Sequence, residues 1–397
     1  MNLLTIPLTL HVLTPVHIGC GQQLMKKEYV LDLDKNCVYV LDTKKFLPWL
    51  VKRGLDDAYF TFVTSEEKDL YEWLRGNDKK EEWRKLVLYT VERVYGDKDI
   101  RVIRRQKSNL SQIAGQAANN QSDKFLPINL MMKDPYGSPY IPGSSLKGAI
   151  RTALLNQIIQ DDAEDASMQE VVDLCNQLRE TLSNPTMDNK KIENLAKQMQ
   201  SIEQACLHKL KLNLVADDSD ALRSIMRGIS ISDSKPLNAC TLTLCRKIDY
   251  DVGGKNPSYI HLLRECLKPG TDVRFTMTLD MDILKDTKID RIYIEKAIKN
   301  FYILQNREVV KKFRGFEFAA EDKRCVLYLG GGCGFHSKTL LLQLLGDKVT
   351  PGTARLLQFL YKRGGHNKGE SVSPHRLKCT YCGERVLMGK CEVRFGG

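Results

Sequence analysis

Tyr140-Ile-Pro-Gly-Ser-Ser-Leu-Lys-Gly-Ala-Ile-Arg-Thr-Ala-Leu154 is the stretch that decides how this chain is organised. Pro142-Gly143 makes a turn, and Ser144 stands where a helix N-cap belongs. Leu146, Ile150, Ala153 and Leu154 recur at the spacing of one buried helical face. Lys147 and Arg151 are one turn apart and share a flank. A helix N-terminus presents free N–H groups and a partial positive charge. Gly143, Ser144, Lys147 and Arg151 therefore predict a phosphate-sized anion site. The bland alternative is a well-capped surface helix with solvated cations.

Upstream, Leu4, Ile6, Leu8, Leu10 and Val12 alternate as in a strand. That strand runs into Thr14-Pro-Val-His-Ile-Gly-Cys-Gly21, where Gly19 and Gly21 permit close approach by a backbone or a phosphate. His17 is a candidate for stacking on a base or donating to a phosphate, against the alternative of a satisfied structural histidine. Tyr29–Leu33 and Val38–Leu41 flank a turn and read as a hairpin, Thr43 is placed to cap a short helix, and Ser65–Leu74 and Glu81–Val94 carry helical spacing. Arg101, Arg104, Arg105 and Lys107 open a small, polar stretch that reads as a basic loop, either solvated or closing on RNA.

Downstream, two apolar stripes predict a helical hairpin over residues 161–212. Val171, Leu174, Cys175, Leu178 and Leu182 form one, and Ile192, Leu195, Met199, Ile202, Cys206 and Leu210 the other. Strand patterns resume at Gly228–Ser232, Thr241–Ile248 and Asp272–Met281, followed by a long helix over Ile289–Phe313. A short strand, Cys325–Leu329, enters Gly330-Gly-Gly-Cys-Gly-Phe-His-Ser-Lys-Thr339, a helix follows over Lys338–Leu345, and Val386–Phe395 reads as a final strand. The order strand, hairpin, helix, strand occurs twice. This predicts an α+β fold with antiparallel sheets, divided into 1–160, a helical insertion at 161–227, and 228–397.

Gly330, Gly331, Gly332 and Gly334, with His336 and Lys338 after them, again suggest backbone approach to phosphates. The segment is not a P-loop, because counting from Gly332 puts Ser337 where the last glycine of that motif must stand. Cys379 and Cys382 have C-x2-C spacing, with His375 or Cys391 as loose further ligands. One pair makes a weak zinc candidate, and reduced thiols are the default, so no metal and no cofactor is expected. No nucleophile–base constellation is apparent.

The chain has 397 residues, with 60 Lys and Arg against 49 Asp and Glu, a formal net charge of +11. That excess suggests an anionic partner, of which nucleic acid is the commonest. No apolar run reaches the ~18 residues of a membrane span. Twelve scattered cysteines suit a reducing compartment, so a soluble cytoplasmic protein without membrane contact is expected.

In order, Pro-Val-His-Ile-Gly-x-Gly, Ile-Pro-Gly-Ser-Ser-Leu-Lys-Gly-x-Ile-Arg, Ile231-Ser-Asp-Ser234 and the late glycine loop resemble the RAMP superfamily of CRISPR proteins over nearly the whole chain. Chain length, the glycine loop, and Leu377-Lys378 with Leu387-Met388-Gly389 look most like the family of the fifth subunit of the type III-A Csm effector. The resemblance implies two ferredoxin-like (RRM-like) modules and no catalytic centre. It implies a place at the 3′ end of the guide RNA, against the repeated backbone RAMP subunit and the small helical subunit, with target RNA met only indirectly. It also implies a role in guide maturation and assembly. The alternatives are a guide-processing endoribonuclease of the superfamily, using His17 or His336 as base, and a different RAMP position, at the 5′ end or in the backbone.

Overall fold

In the computed structural model, the Ile6–Val12 alternation becomes strand β1 (Leu3–Val12), with Ile6, Leu8, Leu10 and Val12 buried. The structure describes residues 2–32, 35–66, 69–93, 126–163, 169–183, 188–208, 210, 220–254, 257–316, 324–361 and 372–396.

The remaining strands are β2 (Gly19–Leu24), β3 (Tyr29–Asp32), β4 (Cys37–Leu41), β5 (Val87–Arg93), β6 (Ile128–Met131), β7 (Ile229–Ile231), β8 (Leu242–Asp251), β9 (Ser258–Leu267), β10 (Asp272–Asp280), β11 (Val326–Tyr328), β12 (Arg376–Cys382), β13 (Glu384–Leu387) and β14 (Lys390–Phe395). The helices are α1 (Thr43–Lys52), α2 (Asp56–Thr64), α3 (Leu70–Asn77), α4 (Gly143–Ala163), α5 (Gln169–Ser183), α6 (Asn189–Leu207), the single turn α7 (Met281–Leu284), α8 (Arg291–Glu308), α9 (Leu341–Leu345) and α10 (Val349–Leu360).

The first sheet has the order β11-β14-β1-β10-β7 and is antiparallel throughout. With α4 after β1 and α8 after β10, strands β1, β7, β10 and β11 trace the β-α-β-β-α-β path of a ferredoxin-like unit, and β14 is inserted beside β1. Leu146, Ile150 and Leu154 of α4 and Ile294, Ile298 and Phe301 of α8 join the strand side chains in one core. Burying each of these contributes roughly 1.5–3 kcal/mol. Strand pairing does not follow chain order: β1, from segment 1–160, lies between β10 and β14 of segment 228–397.

The second sheet runs β2-β6-β9-β8-β5-β4-β3, with β12 on the far half of β8 and β13 on β12. It is mostly antiparallel, as expected, with two short parallel pairings, β5 beside β8 and β6 beside β9. A small aromatic-rich cluster around Phe46, Leu50, Phe62, Leu74 and Trp83 attaches α1–α3 to its β3–β4 edge.

Several local expectations change. Asp42, not Thr43, caps α1, its carboxylate accepting from Lys44 N–H at 3.1 Å. Helical spacing over Glu81–Val94 gives way to a 3-10 turn, Glu82–Leu86, and strand β5. There β4 supplies the hydrogen-bond partners and the β-branched Val87, Thr90 and Val91 fit a pleated surface. The helix placed at Ser65–Leu74 starts later, at Leu70 behind the N-cap Asp69. The final strand breaks at Gly389 (φ +81), which sends β13 and β14 into different sheets. Among the described residues, no helix is long and apolar enough to cross a membrane.

Candidate nucleic-acid interface

Gly143 opens α4, so Ser144 lies inside the first turn and does not cap the helix. The Asp233 carboxylate takes that place, accepting from Gly143 N–H at 2.8 Å, and Ser234 Oγ accepts from Ile141 N–H at 3.0 Å. A Cβ on Gly143 would stand 2.2 Å from Ile231 O. The glycine thus serves contact between two stretches of this chain, and an internal carboxylate already occupies the helix N-terminus. A phosphate at the expected anion site would have to displace this covalently tethered anion.

The glycine loop is likewise packed against its own chain. Gly331 N–H donates to His17 O at 2.7 Å, and a Cβ on Gly330 (φ +90) would meet that oxygen at 2.3 Å. The fold therefore brings together two motifs that stand more than 300 residues apart in the chain. His17 is only 4% exposed, its Nδ1 hydrogen-bonds Glu265 O at 2.7 Å, and burial lowers its pKa to about 4. His336 is 2% exposed, stands edge-on to Tyr328 at 5.0 Å, and burial also lowers its pKa to about 4. Both are buried and neutral at pH 7. Gly19 and Gly21 sit on the exposed strand β2, at one edge of the second sheet, where Gly19 clears the His17 ring by leaving out a Cβ.

Around the glycine loop stands a group of cations that sequence reasoning missed. Lys247 on β8, Lys378 on β12 and Arg264 on β9 converge there, with Asp249 as the carboxylate between the lysines. Lys378 Nζ lies 2.8 Å and Lys247 Nζ 3.3 Å from its two oxygens. Burial pushes Asp249 up, but the hydrogen bonds and charges of Lys378 and Lys247 outweigh it and hold the carboxyl below its ordinary range. Burial, then the neighbouring Lys378 charge, pulls Lys247 below the usual lysine value. Arg264 Nη1 has no hydrogen-bond partner and would lie 3.5 Å from a Cβ on Gly332. A Cβ on Gly334 would meet the Lys378 stem at 3.3 Å. Three cations against one carboxylate leave this patch electropositive beside bare backbone, a setting that holds a phosphate without reading a base. No local spacing announces it, because the residues come from three strands joined only by pairing.

The remaining expected contacts divide. Arg151 is ion-paired to Glu203 of α6, and Arg151, Glu203 and the exposed Lys338 line one cavity of about 290 Å³ between α4, the helical hairpin and the end of the glycine loop. Lys147, one turn earlier, is half-buried with no ion pair among the described residues, and burial lowers its pKa. Arg101, Arg104 and Arg105 lie outside the described residues. Cys379 and Cys382 lie on one strand, where residues three apart face opposite sides, and Cys391 is in the other sheet. No metal-competent cluster of His, Cys, Asp and Glu forms among the described residues, with His375 among those available.

The split ferredoxin-like frame is consistent with the RAMP superfamily, whose family model matches residues 9–335; the chain belongs to that superfamily. Within it, the chain is homologous to Csm5. It is 30% identical over 347 residues to the CRISPR system Cms protein Csm5 of Enterococcus italicus, covering 83% of this chain and 78% of that one. It is 27% identical to Csm5 of Streptococcus thermophilus, over 86% of this chain and 82% of the relative. Among solved structures, a chain of a Csm–crRNA–target RNA ternary complex from a type III-A CRISPR-Cas system aligns with a TM-score of 0.65 at 19% identity, covering 98% of this chain and 100% of that chain. The crystal structure of T. onnurineus Csm5 aligns at 0.60, also at 19% identity, over 97% and 99%. These two show that the fold is shared from end to end.

Proposed function

We propose that the chain is a non-catalytic, RNA-binding subunit of a cytoplasmic type III-A CRISPR effector complex. It caps the 3′ end of the guide RNA, aids guide maturation and assembly, and meets target RNA through the complex. Its neighbours are the repeated backbone RAMP subunit and the small helical subunit. The observation that carries this is the 30% identity to Csm5 across 83% of the chain. The physical character of the site supports it. Backbone-lined loops with Lys247, Lys378 and Arg264 beside them bind phosphates regardless of sequence, as an end cap for varied guides requires. The edge glycines Gly19 and Gly21, together with Lys147, Lys338 and the Arg101–Arg105 segment, complete the proposed path.

Co-expression with the neighbouring genes and a guide array, followed by native mass spectrometry and sequencing of bound RNA, tests the assignment. One copy per complex, at the 3′ end of a ladder of backbone subunits, is expected. Recovery of the folded chain alone, without RNA or partners, would overturn it. For the phosphate patch, Lys378→Gln should make the plot of log K against log salt shallower by about 0.7, the share of a single cation neutralising a single phosphate on one strand. Asp249 keeps Lys247 as partner in that variant, so folding is preserved. An unchanged slope removes Lys378 from the path.

The endoribonuclease alternative needs a base within reach of a 2′-OH. The burial of His17 and His336, each neutral far below pH 7, argues against it. Repeat RNA incubated with metal-free protein is expected to stay intact. Site-specific cleavage abolished by His17→Ala would establish the enzyme instead.

A further inference from the structure

Beyond the phosphate patch lies a second feature. His17 is within electrostatic range of both Arg264 and Lys133, and Lys133 lines an open cleft of about 570 Å³. Its walls include Gln22 of β2, Lys44 at the start of α1, Leu88 of β5, and Met132, Lys133 and Tyr136 beyond β6. Leu88 is 52% exposed and Tyr136 is 91% exposed. An aromatic ring this bare contributes nothing to the core.

The turn that carries Tyr136 is nevertheless tightly built. The Asp134 carboxylate accepts from Tyr136 N–H at 2.9 Å and from Ser138 N–H at 2.8 Å. Asp134 N–H donates to Ser138 O at 2.9 Å, and Gly137 (φ +86) closes the turn by donating to Asp134 O at 3.0 Å. The base of the turn is anchored below. Lys133 forms a buried ion pair with Glu265, which also accepts from Tyr89 Oη at 2.7 Å and from Met131 N–H at 2.9 Å. The turn thus fixes the backbone that carries the exposed ring, so little backbone entropy is lost when something stacks on it.

We infer that this cleft is a nucleobase-stacking site, in which a single-stranded RNA base lies on Tyr136 over Leu88 and Met132 while Gln22 meets its edge and Lys44 the adjoining phosphate. This rests on the RNA-binding proposal and adds a residue and a mode of contact to it. The occupant is a base more than a phosphate cluster because the cleft holds little free positive charge. Lys133 is neutralised by Glu265, Asp42 caps α1 and pairs with Lys45, and Asp134 is used by the turn. What remains is a flat aromatic and two apolar faces, which suit the π-face of any base. The cleft also abuts Cys20 on the glycine-bearing strand β2, so a strand crossing Gly19 and Gly21 would reach it.

The test uses the full chain and single-stranded guide RNA carrying a fluorescent purine analogue. Tyr136→Ala should weaken binding about 5- to 50-fold, without changing the salt slope, because stacking releases no counterions. Tyr136→Phe should retain wild-type affinity, and analogue quenching should fall in the Ala variant only. Since Tyr136 is almost fully exposed, both variants should keep the wild-type unfolding midpoint. If wild-type protein binds RNA and Tyr136→Ala binds equally well with undiminished quenching, the stacking site is wrong while the RNA-binding proposal stands. Failure to assemble with partner subunits at unchanged RNA affinity would assign Tyr136 to a protein interface and overturn the inference. Wild-type protein that binds no RNA, alone or in the assembled complex, would remove both.

Discussion

Gly330→Ala should lower the free energy of unfolding by about 3–5 kcal/mol, among the larger effects a single methyl can have. Two costs add. At φ +90 a Cβ is strained whatever surrounds it, about 1–2 kcal/mol. The new carbon would also stand 2.3 Å from His17 O, a backbone atom that cannot rotate away. Relieving that overlap means separating the His17 segment from the glycine loop and breaking the Gly331 N–H to His17 O hydrogen bond of 2.7 Å. Gly21→Ala separates the two costs. Gly21 has φ +82 but nothing within 4 Å of the added carbon, so only about 1 kcal/mol is expected. Urea unfolding of both variants at pH 7 checks this. Equal losses would mean that the His17 segment gives way freely, and that the glycine loop is not fastened as described.

Acidification from pH 6.5 toward 4 should cost the fold about 3 kcal/mol for each of His17 and His336. Above the ordinary histidine pKa of 6.5 both states are neutral and no difference exists. Below it the unfolded chain takes up protons while the native rings, held near 4 by burial, do not. The unfolded state therefore binds more protons through this window, and stability falls as pH falls. It levels off only below about 4. Asp249, held below its ordinary range, gives up its share lower down, so the two effects separate on the pH axis. Denaturant unfolding at pH 7 and pH 4.5 measures the loss, and His336→Phe should remove about half of it. A variant with the wild-type acid response would show that other groups carry it.

How much of this was legible in the chain depends on how far apart the interacting residues are. The α4 face of Leu146, Ile150 and Leu154, strand β1, the β3–β4 hairpin and the two hairpin helices all follow from local periodicity, which is set by backbone geometry and needs no partner. Where periodicity was ambiguous, pairing decided. Val87–Arg93 became a strand because β4 offered it a ladder. The C-x2-C segment became a strand because β13 did, with β8 joining at Cys379, and this put the two thiols on opposite faces.

The glycines show the same division at the site. Their positions were plain in the sequence, and so was the inference that something approaches their backbones closely. What approaches was not. At Gly143 and Gly330 it is the chain itself, through Ile231 O and His17 O. The net charge of +11 announced an anionic partner, but net charge has no location. The patch of Lys247, Arg264 and Lys378 exists only after β8, β9 and β12 have paired, and His17 and His336 became uncharged packing only after burial removed their water. Residue order was enough for the clearly periodic elements, the family motifs and the sign of the charge, because these depend on neighbours within a few residues. Which backbones meet, which cations gather and which histidines lose their charge had to wait for the folded chain, because each depends on atoms tens to hundreds of residues away.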